Sequence, residues 1–206
     1  MSTWITLLND VGVTLYGSLL SASFCHALRS GRNRLIFWSC VVAMLLLQGW
    51  IYMVWDAMLL RRIYPLVLHL PLILTLYGLT GKLLWSSISV LTAYLCCQLR
   101  RWIALLVVAL VEGSPFLQNL VELIITVPLL LLLLRFVSPT VCLLGERSRR
   151  LQVQFGLIPA LYYIFDYATR VYTDLLSGGA PVVVEFMPFV CCCAYLVFLL
   201  YYVIEG

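Results

Sequence analysis

Charge is what this sequence has least of. Its 206 residues include 13 Lys and Arg and 9 Asp and Glu, 11% in all, against 64% hydrophobic residues and a mean hydropathy of +1.05. A soluble domain carries about 25% charged residues, so too little charge is present to coat a water-facing surface. A soluble enzyme, a disordered tail and a nucleic-acid-binding domain are excluded as the main character of the chain. No basic stripe runs along it, and nucleic acid is not an expected partner. Histidine is scarce too, with only His26 and His69. A glycine-rich phosphate loop, the pattern GxxxxGK[ST] and a paired-aspartate metal site are all missing, so the chain is not expected to carry out phosphoryl transfer by itself. The 8 cysteines contain no CxxC pair and no His/Cys zinc spacing. Nearly all lie in apolar runs, where a thiol behaves as a small buried hydrophobe. No catalytic residue, metal site or cofactor is expected within these residues.

What is abundant is apolar length. A membrane span needs about 20 predominantly apolar residues. Seven stretches qualify: Trp4–Ala27, Leu35–Trp55, Ile63–Leu79, Leu83–Leu99, Asn119–Val137, Val153–Val171 and Val182–Val203. The first lacks a basic flank and contains Asp10, so it is expected to remain as a span rather than act as a cleaved signal. Between the fourth and fifth, Trp102–Val111 is too short to cross, and Glu112-Gly113-Ser114-Pro115 breaks it. Residues 100–117 therefore predict an interfacial or re-entrant helix, with Arg100, Arg101 and Trp102 at headgroup level. The prolines at 65, 71, 115, 128, 159 and 188 show no pairing of the kind expected for an inverted transporter repeat. The fold class is all-α: a polytopic transmembrane bundle forming a single domain over residues 1–206.

Orientation follows from the basic residues. Arg29, Arg32 and Arg34 follow the first span, Lys82 the third, and Arg147, Arg149 and Arg150 the fifth. With seven spans these share one side. Calling it cytoplasmic puts the N-terminus outside and the C-terminus inside. Arg61, Arg62, Arg100, Arg101 and Arg170 then fall on the outer side.

Ionisable residues within spans are costly and point to function by default. Asp166 and Arg170 are four apart, which places them on one helix face as an ion pair, with Tyr162, Tyr163, Tyr167 and Tyr172 around them. Asp174 and Glu185 flank the turn Ser177-Gly178-Gly179-Ala180-Pro181. Asp10, Asp56, Glu112 and Glu122 fall near predicted outer ends. The expected ligand-binding set is Asp166, Arg170, Glu185, Arg100, Arg101, Tyr162 and Tyr163, an outward-opening pocket of mixed charge that suits a peptide-like or zwitterionic ligand. His69 lies mid-span, as a hydrogen-bonded neutral residue or a proton site. Cys25 and His26 are adjacent, so their side chains diverge by about 100° on a helix and form no nucleophile–base pair. His69 with Cys96 or Cys97 leaves a membrane cysteine peptidase open, and a small transporter is a further alternative. The scarcity of acids on the inner side, Glu146 apart, argues against proton-coupled transport.

Four segments carry a resemblance: Tyr64-Pro65-Leu66-Val67-Leu68-His69-Leu70-Pro71-Leu72-Ile73-Leu74, Thr92-Ala93-Tyr94-Leu95-Cys96-Cys97-Gln98-Leu99-Arg100-Arg101-Trp102-Ile103, Ile158 to Tyr167, and Val183 to Val190. Together they resemble the membrane sensor region of bacterial sensor histidine kinases with a GHKL-type ATPase domain. The general layout is similar to that of the peptide-sensing accessory-gene-regulator kinases. The resemblance covers roughly residues 35–206. It implies a sensing role in the bacterial cytoplasmic membrane. It also implies an extracellular or membrane-borne ligand, a homodimer, and a cytoplasmic response regulator reached through a kinase domain. In that family the last span continues into a helix bearing the phospho-accepting histidine, followed by the ATP-binding domain. His26 and His69 lie in or at spans and do not match that histidine, so no catalytic residue carries over. ATP and Mg are expected only in a kinase domain that these residues do not include. The stretch ending at Gly206 reads as a signalling helix that is cut short.

Overall fold

The computed structural model describes the backbone of residues 2–55, 57–111, 114–172 and 181–205. It describes no side chain at 2–3, 57–59, 61, 115, 169–172, 181–185, 187, 198–199, 202–203 or 205. Helix α1 spans Ser2–Phe24, and a short 3-10 turn, Ala27–Arg29, leads into α2, Gly31–Val54. Helix α3 (Ala57–Tyr64) runs without a break through a π-helical turn, Pro65–His69, into α4 (Leu70–Thr80). Helix α5 is Leu83–Val111. Helix α6 (Pro115–Leu132) passes through a second π turn, Leu133–Val137, into α7 (Ser138–Gly145). Helices α8 (Arg149–Tyr172) and α9 (Pro181–Glu205) complete the chain. All regular structure among the described residues is helical. Among the described residues, five helical stretches are long and apolar enough to cross a membrane: Trp4–Phe24, Gly31–Val54, Arg62–Thr80, Leu83–Val111 and Phe116–Gly145. Helix α8 is not among them, because Gln152, Gln154, Asp166 and its tyrosines dilute the apolar run. Among the described residues of α9, the apolar helical stretch is Pro188–Val197.

Residues 100–111 correct the sequence-based expectation. They form no separate interfacial piece but continue α5, a single helix of 29 residues that is about 43 Å long at 1.5 Å per residue. Apolar length alone ends this span at Leu99, because Arg100 and Arg101 look like a membrane boundary. The helix continues because Arg100 is buried against α6 instead of facing headgroups. The break falls at Ser114, whose side chain accepts from the Leu117 amide and caps α6. Pro115 follows at the first helical position, where its missing N–H costs nothing.

The two π turns share a cause. Each is followed by an X-Pro step, Leu70-Pro71 and Ser138-Pro139. Proline lacks an N–H and clashes with the carbonyl four residues back. The helix widens by one residue instead, so Leu70 and Ser138 donate to carbonyls five back, Pro65 and Leu133. At the end of α4, Gly81 takes φ +71 and donates to the Tyr77 carbonyl, a left-handed stop that glycine adopts without strain.

Two apolar clusters fill the bundle. One joins α1, α5, α6, α7, α8 and α9 through residues such as Tyr16, Trp85, Trp102, Phe155 and Phe189. The other joins α1, α2, α3 and α4 through Phe37, Val41, Leu68 and Leu76, and reaches α5 at Val90. Helices α1 and α5 belong to both. The basic loops gather at one end, as their charges predict: Arg29, Asn33, Lys82 and Glu146 line a small basin of about 230 Å³, and Lys82 Nζ lies 3.2 Å from Glu146 Oε1.

Two glycines mark close helix approaches. A Cβ on Gly145 would stand 2.5 Å from the Trp85 indole nitrogen, and one on Gly156 would stand 2.5 Å from Ile88 Cγ1. Trp85 is held in place because it donates to the Phe24 carbonyl at 3.0 Å. Substitution to alanine at either glycine should therefore destabilise by about 1–3 kcal/mol through overpacking. Gly49 has open space around it, so Gly49→Ala should be neutral or stabilising. Thermal unfolding of the three variants in detergent micelles checks the ranking.

Candidate functional site

A cavity of about 570 Å³ lies between α1, α2, α4, α5, α6 and α8. Its walls are unusually polar for a chain of this composition. Along α1, Thr6, Asn9, Asp10, Gly17, Ser18 and Ser21 face it, at the three- and four-residue spacing that defines one helix face. Along α5 the same spacing puts Tyr94, Cys97, Gln98 and Arg101 on the wall.

At one side of the cavity is a buried ion pair. Arg100 on α5 is 3% exposed and Glu122 on α6 is 6% exposed. Arg100 Nη2 lies 3.5 Å from Glu122 Oε2, and Nη1 donates to Thr126 Oγ1 at 2.8 Å. Asn9 of α1 donates to Glu122 Oε2 at 2.7 Å and to Asn119 Oδ1 at 3.0 Å. Gln118 donates to Glu122 Oε1 at 3.1 Å. Three helices are thus tied at one carboxylate. Two polar atoms here still have no protein partner: Arg100 Nε and Asn9 Oδ1. A buried polar group left unmatched costs about 1–3 kcal/mol.

At another side is an aromatic box. His69, at the end of the first π turn, has ring centroids of Tyr64, Tyr94 and Tyr163 at 5.1, 5.3 and 5.2 Å. Tyr94 and Tyr163 meet edge-to-face at 4.8 Å. His69 Nδ1 is hydrogen-bonded to the Tyr163 hydroxyl at 2.7 Å. The Tyr94 hydroxyl donates to Asp166, which is 1% exposed. The Tyr167 hydroxyl donates to the Arg62 carbonyl.

The sequence-predicted residues divide as follows. Arg100, Arg101 and Tyr163 line the cavity, and Asp166 is joined to its wall through Tyr94. Arg100 is not at the outer rim but inside the bundle, because Glu122 and Thr126 receive it. Tyr162 faces elsewhere: it is buried in the core, with Phe189 of α9 at 5.9 Å. The side chains of Arg170 and Glu185 lie outside the described residues, as do those of Asp174 and Asp56. Glu122, expected as an interfacial acid, is the centre of the buried network. Asn9, Gln118, Asn119 and Thr126 were not singled out by the sequence reading. Their signal was the spacing: 118, 119, 122 and 126 fall on one face of an otherwise apolar helix.

Of the two cysteines paired with His69 in the sequence analysis, Cys97 lines the same cavity as His69. His69 is engaged by Tyr163, and Cys96 is buried with its carbonyl accepting from Tyr16 at 3.4 Å. Cys25 lies beyond the end of α1, and burial pushes its thiol up to about 11. His26 beside it takes φ +51. Among the described residues, no three His, Cys, Asp or Glu side chains come together as a metal site.

The chain matches no family profile, no curated protein and no solved structure.

The network sets up a double-mutant test. Glu122→Leu alone strands a buried guanidinium and should cost about 3–5 kcal/mol, whereas Arg100→Met with Glu122→Leu should recover most of it. Denaturant titration of the single and double variants in micelles reads the coupling.

Proposed function

We propose that this chain is a membrane-embedded sensing module with seven spans, its N-terminus outside and its C-terminus in the cytoplasm, in the bacterial cytoplasmic membrane. Helices α8 and α9 supply the sixth and seventh spans. The module takes a ligand from outside or from the bilayer. It relays binding through α9 to a cytoplasmic kinase domain of the GHKL histidine-kinase type and, through that domain, to a response regulator. It works as a homodimer. The kinase part of this reading rests on the sequence resemblance. The sensing part rests on the cavity.

The observation that carries it is the arrangement of two consecutive residues on α8. Tyr163 is on the cavity wall, bonded to His69. Tyr162 packs against Phe189 of α9. A ligand that changes how Tyr163 is held also changes how α8 bears on α9. Such a ligand must bind one packing of the helices better than the other, or it shifts nothing. A difference of about 1–3 kcal/mol gives roughly 5–150-fold coupling. The buried Asp166–Tyr94 hydrogen bond fixes the register of α8 against α5 and sets the resting balance.

Two measurements test this. In the complete gene product reconstituted in nanodiscs, Asp166→Asn should change basal autophosphorylation by at least about fivefold at unchanged protein level. An unchanged rate, or a gene product without an ATP-binding domain, would remove the kinase reading. For orientation, a fluorescent protein fused after residue 206 should fluoresce, and alkaline phosphatase fused after Gly179 should be active. The opposite pattern would reverse the topology.

A further inference from the structure

We infer that the cavity binds a small zwitterion whose positive and negative ends are separated along α5, with its ammonium against the aromatic wall of Tyr64, Tyr94 and Tyr163 and its carboxylate at the arginines. The inference rests on reading the cavity as the ligand site and names the chemistry of what enters it.

Three observations converge on that chemistry. The first is the balance of the wall. It carries two guanidiniums, Arg100 and Arg101, and two carboxylates, Asp10 and Glu122. A wall with no net formal charge but distinct charged groups favours a ligand of the same kind, neutral overall and charged at its ends. The second is the unmatched pair of atoms on either side of the Arg100–Glu122 contact. Arg100 Nε is a buried donor without an acceptor, and Arg100 is 3% exposed. The other two guanidinium nitrogens already meet Thr126 and Glu122, and Nε–H is a donor that a carboxylate can use. Guanidinium is well suited to that acceptor. Asn9 Oδ1, buried and also unmatched, can accept from a polar hydrogen of the ligand.

The third is the aromatic end. Tyr64, Tyr94 and Tyr163 pack edge-to-face on His69, and all four rings line the cavity. Their faces carry negative potential, and a ligand ammonium over such faces is attracted. Asp10 lines the same cavity and supplies the countercharge. Tyr94 and Arg101 are seven residues apart on one face of α5, a rise of about 10 Å. Both residues line the cavity, so a ligand that meets both carries its charges farther apart than a simple α-amino acid does.

A ruler series tests this by isothermal titration of the purified 206-residue chain. The probes are glycine, γ-aminobutyrate, ε-aminohexanoate and ω-aminooctanoate, with hexanoate, hexylamine and N-acetyl-ε-aminohexanoate as one-ended controls. ε-Aminohexanoate should bind saturably, at least about tenfold tighter than glycine and than each one-ended control. Asp10→Asn should abolish its advantage over hexanoate. Arg101→Gln should abolish its advantage over hexylamine. Both variants leave the Arg100–Glu122 pair intact. Arg149→Gln, at the basic end away from the cavity, should change neither preference. Equal binding of one-ended and zwitterionic probes, glycine at least as tight as the longer zwitterions, or no saturable binding up to about 10 mM would each overturn the inference. The sensing role fails separately. If ε-aminohexanoate binds without altering autophosphorylation of the complete gene product, the ligand chemistry stands and the relay falls. If no probe binds while Asp166→Asn still alters autophosphorylation, the relay stands and the ligand chemistry falls.

Discussion

Removing a guanidinium from water is tolerable only where its charge is paired and its hydrogens are bonded, and at Arg100 the pairing carboxylate is itself held by a second helix. Glu122 and Thr126 meet it from α6, while Asn9 reaches from α1 to the same carboxylate. This constraint fixes the relative depth of α1, α5 and α6. It also explains why α5 does not stop at the Arg-Arg pair. Because α5 is long and continuous, it can serve both apolar clusters at once, and the cavity forms in the space between its polar face and that of α1. The tyrosine cluster follows from the same geometry, since Tyr94 is displayed on α5 between Asp166 of α8 and His69 of the π turn before α4.

Much of the architecture was legible in the sequence because burial in lipid leaves few options. Every backbone group must be satisfied internally, so apolar length translates directly into helices. The breaks at Gly81 and Ser114 follow from ordinary turn and cap chemistry. The clustering of basic loops at one end was readable for the same reason. Residues 100–111 were misread because a pair of arginines signals a membrane boundary only if nothing in the bundle receives them. The receiver, Glu122, is twenty-two residues on, and a one-dimensional reading cannot weigh that pairing. The π turns were likewise hidden, since a proline in a span announces a disturbance but not whether the helix kinks or widens.

The candidate site was legible in part. Residues that are unusual on their own helix, such as Asp166 and Tyr163 on α8, stood out from composition. Their neighbours did not, because their significance comes from other helices: Tyr94 through Asp166, Asn9 through Glu122. Tyr162 shows the limit of reasoning by adjacency. It neighbours Tyr163 in sequence, yet one helical step turns it by about 100°, from the cavity to the α9 interface. Polar residues that looked incidental on α6 became the most connected ones, since a single carboxylate inside an apolar bundle draws every nearby donor.

The division of the apolar interior into two clusters that share only α1 and α5 has an evolutionary consequence. Substitutions within one cluster share packing partners and should show strong epistasis, whereas those in different clusters should combine almost independently. The few residues that cross the divide, His69 with Tyr163 above all, are where independence fails. Variation could therefore accumulate in α2 and α4 without re-optimising α8 and α9, so long as that hydrogen-bonded crossing is kept. The two halves would then drift separately, with that hydrogen bond as a point where they must agree.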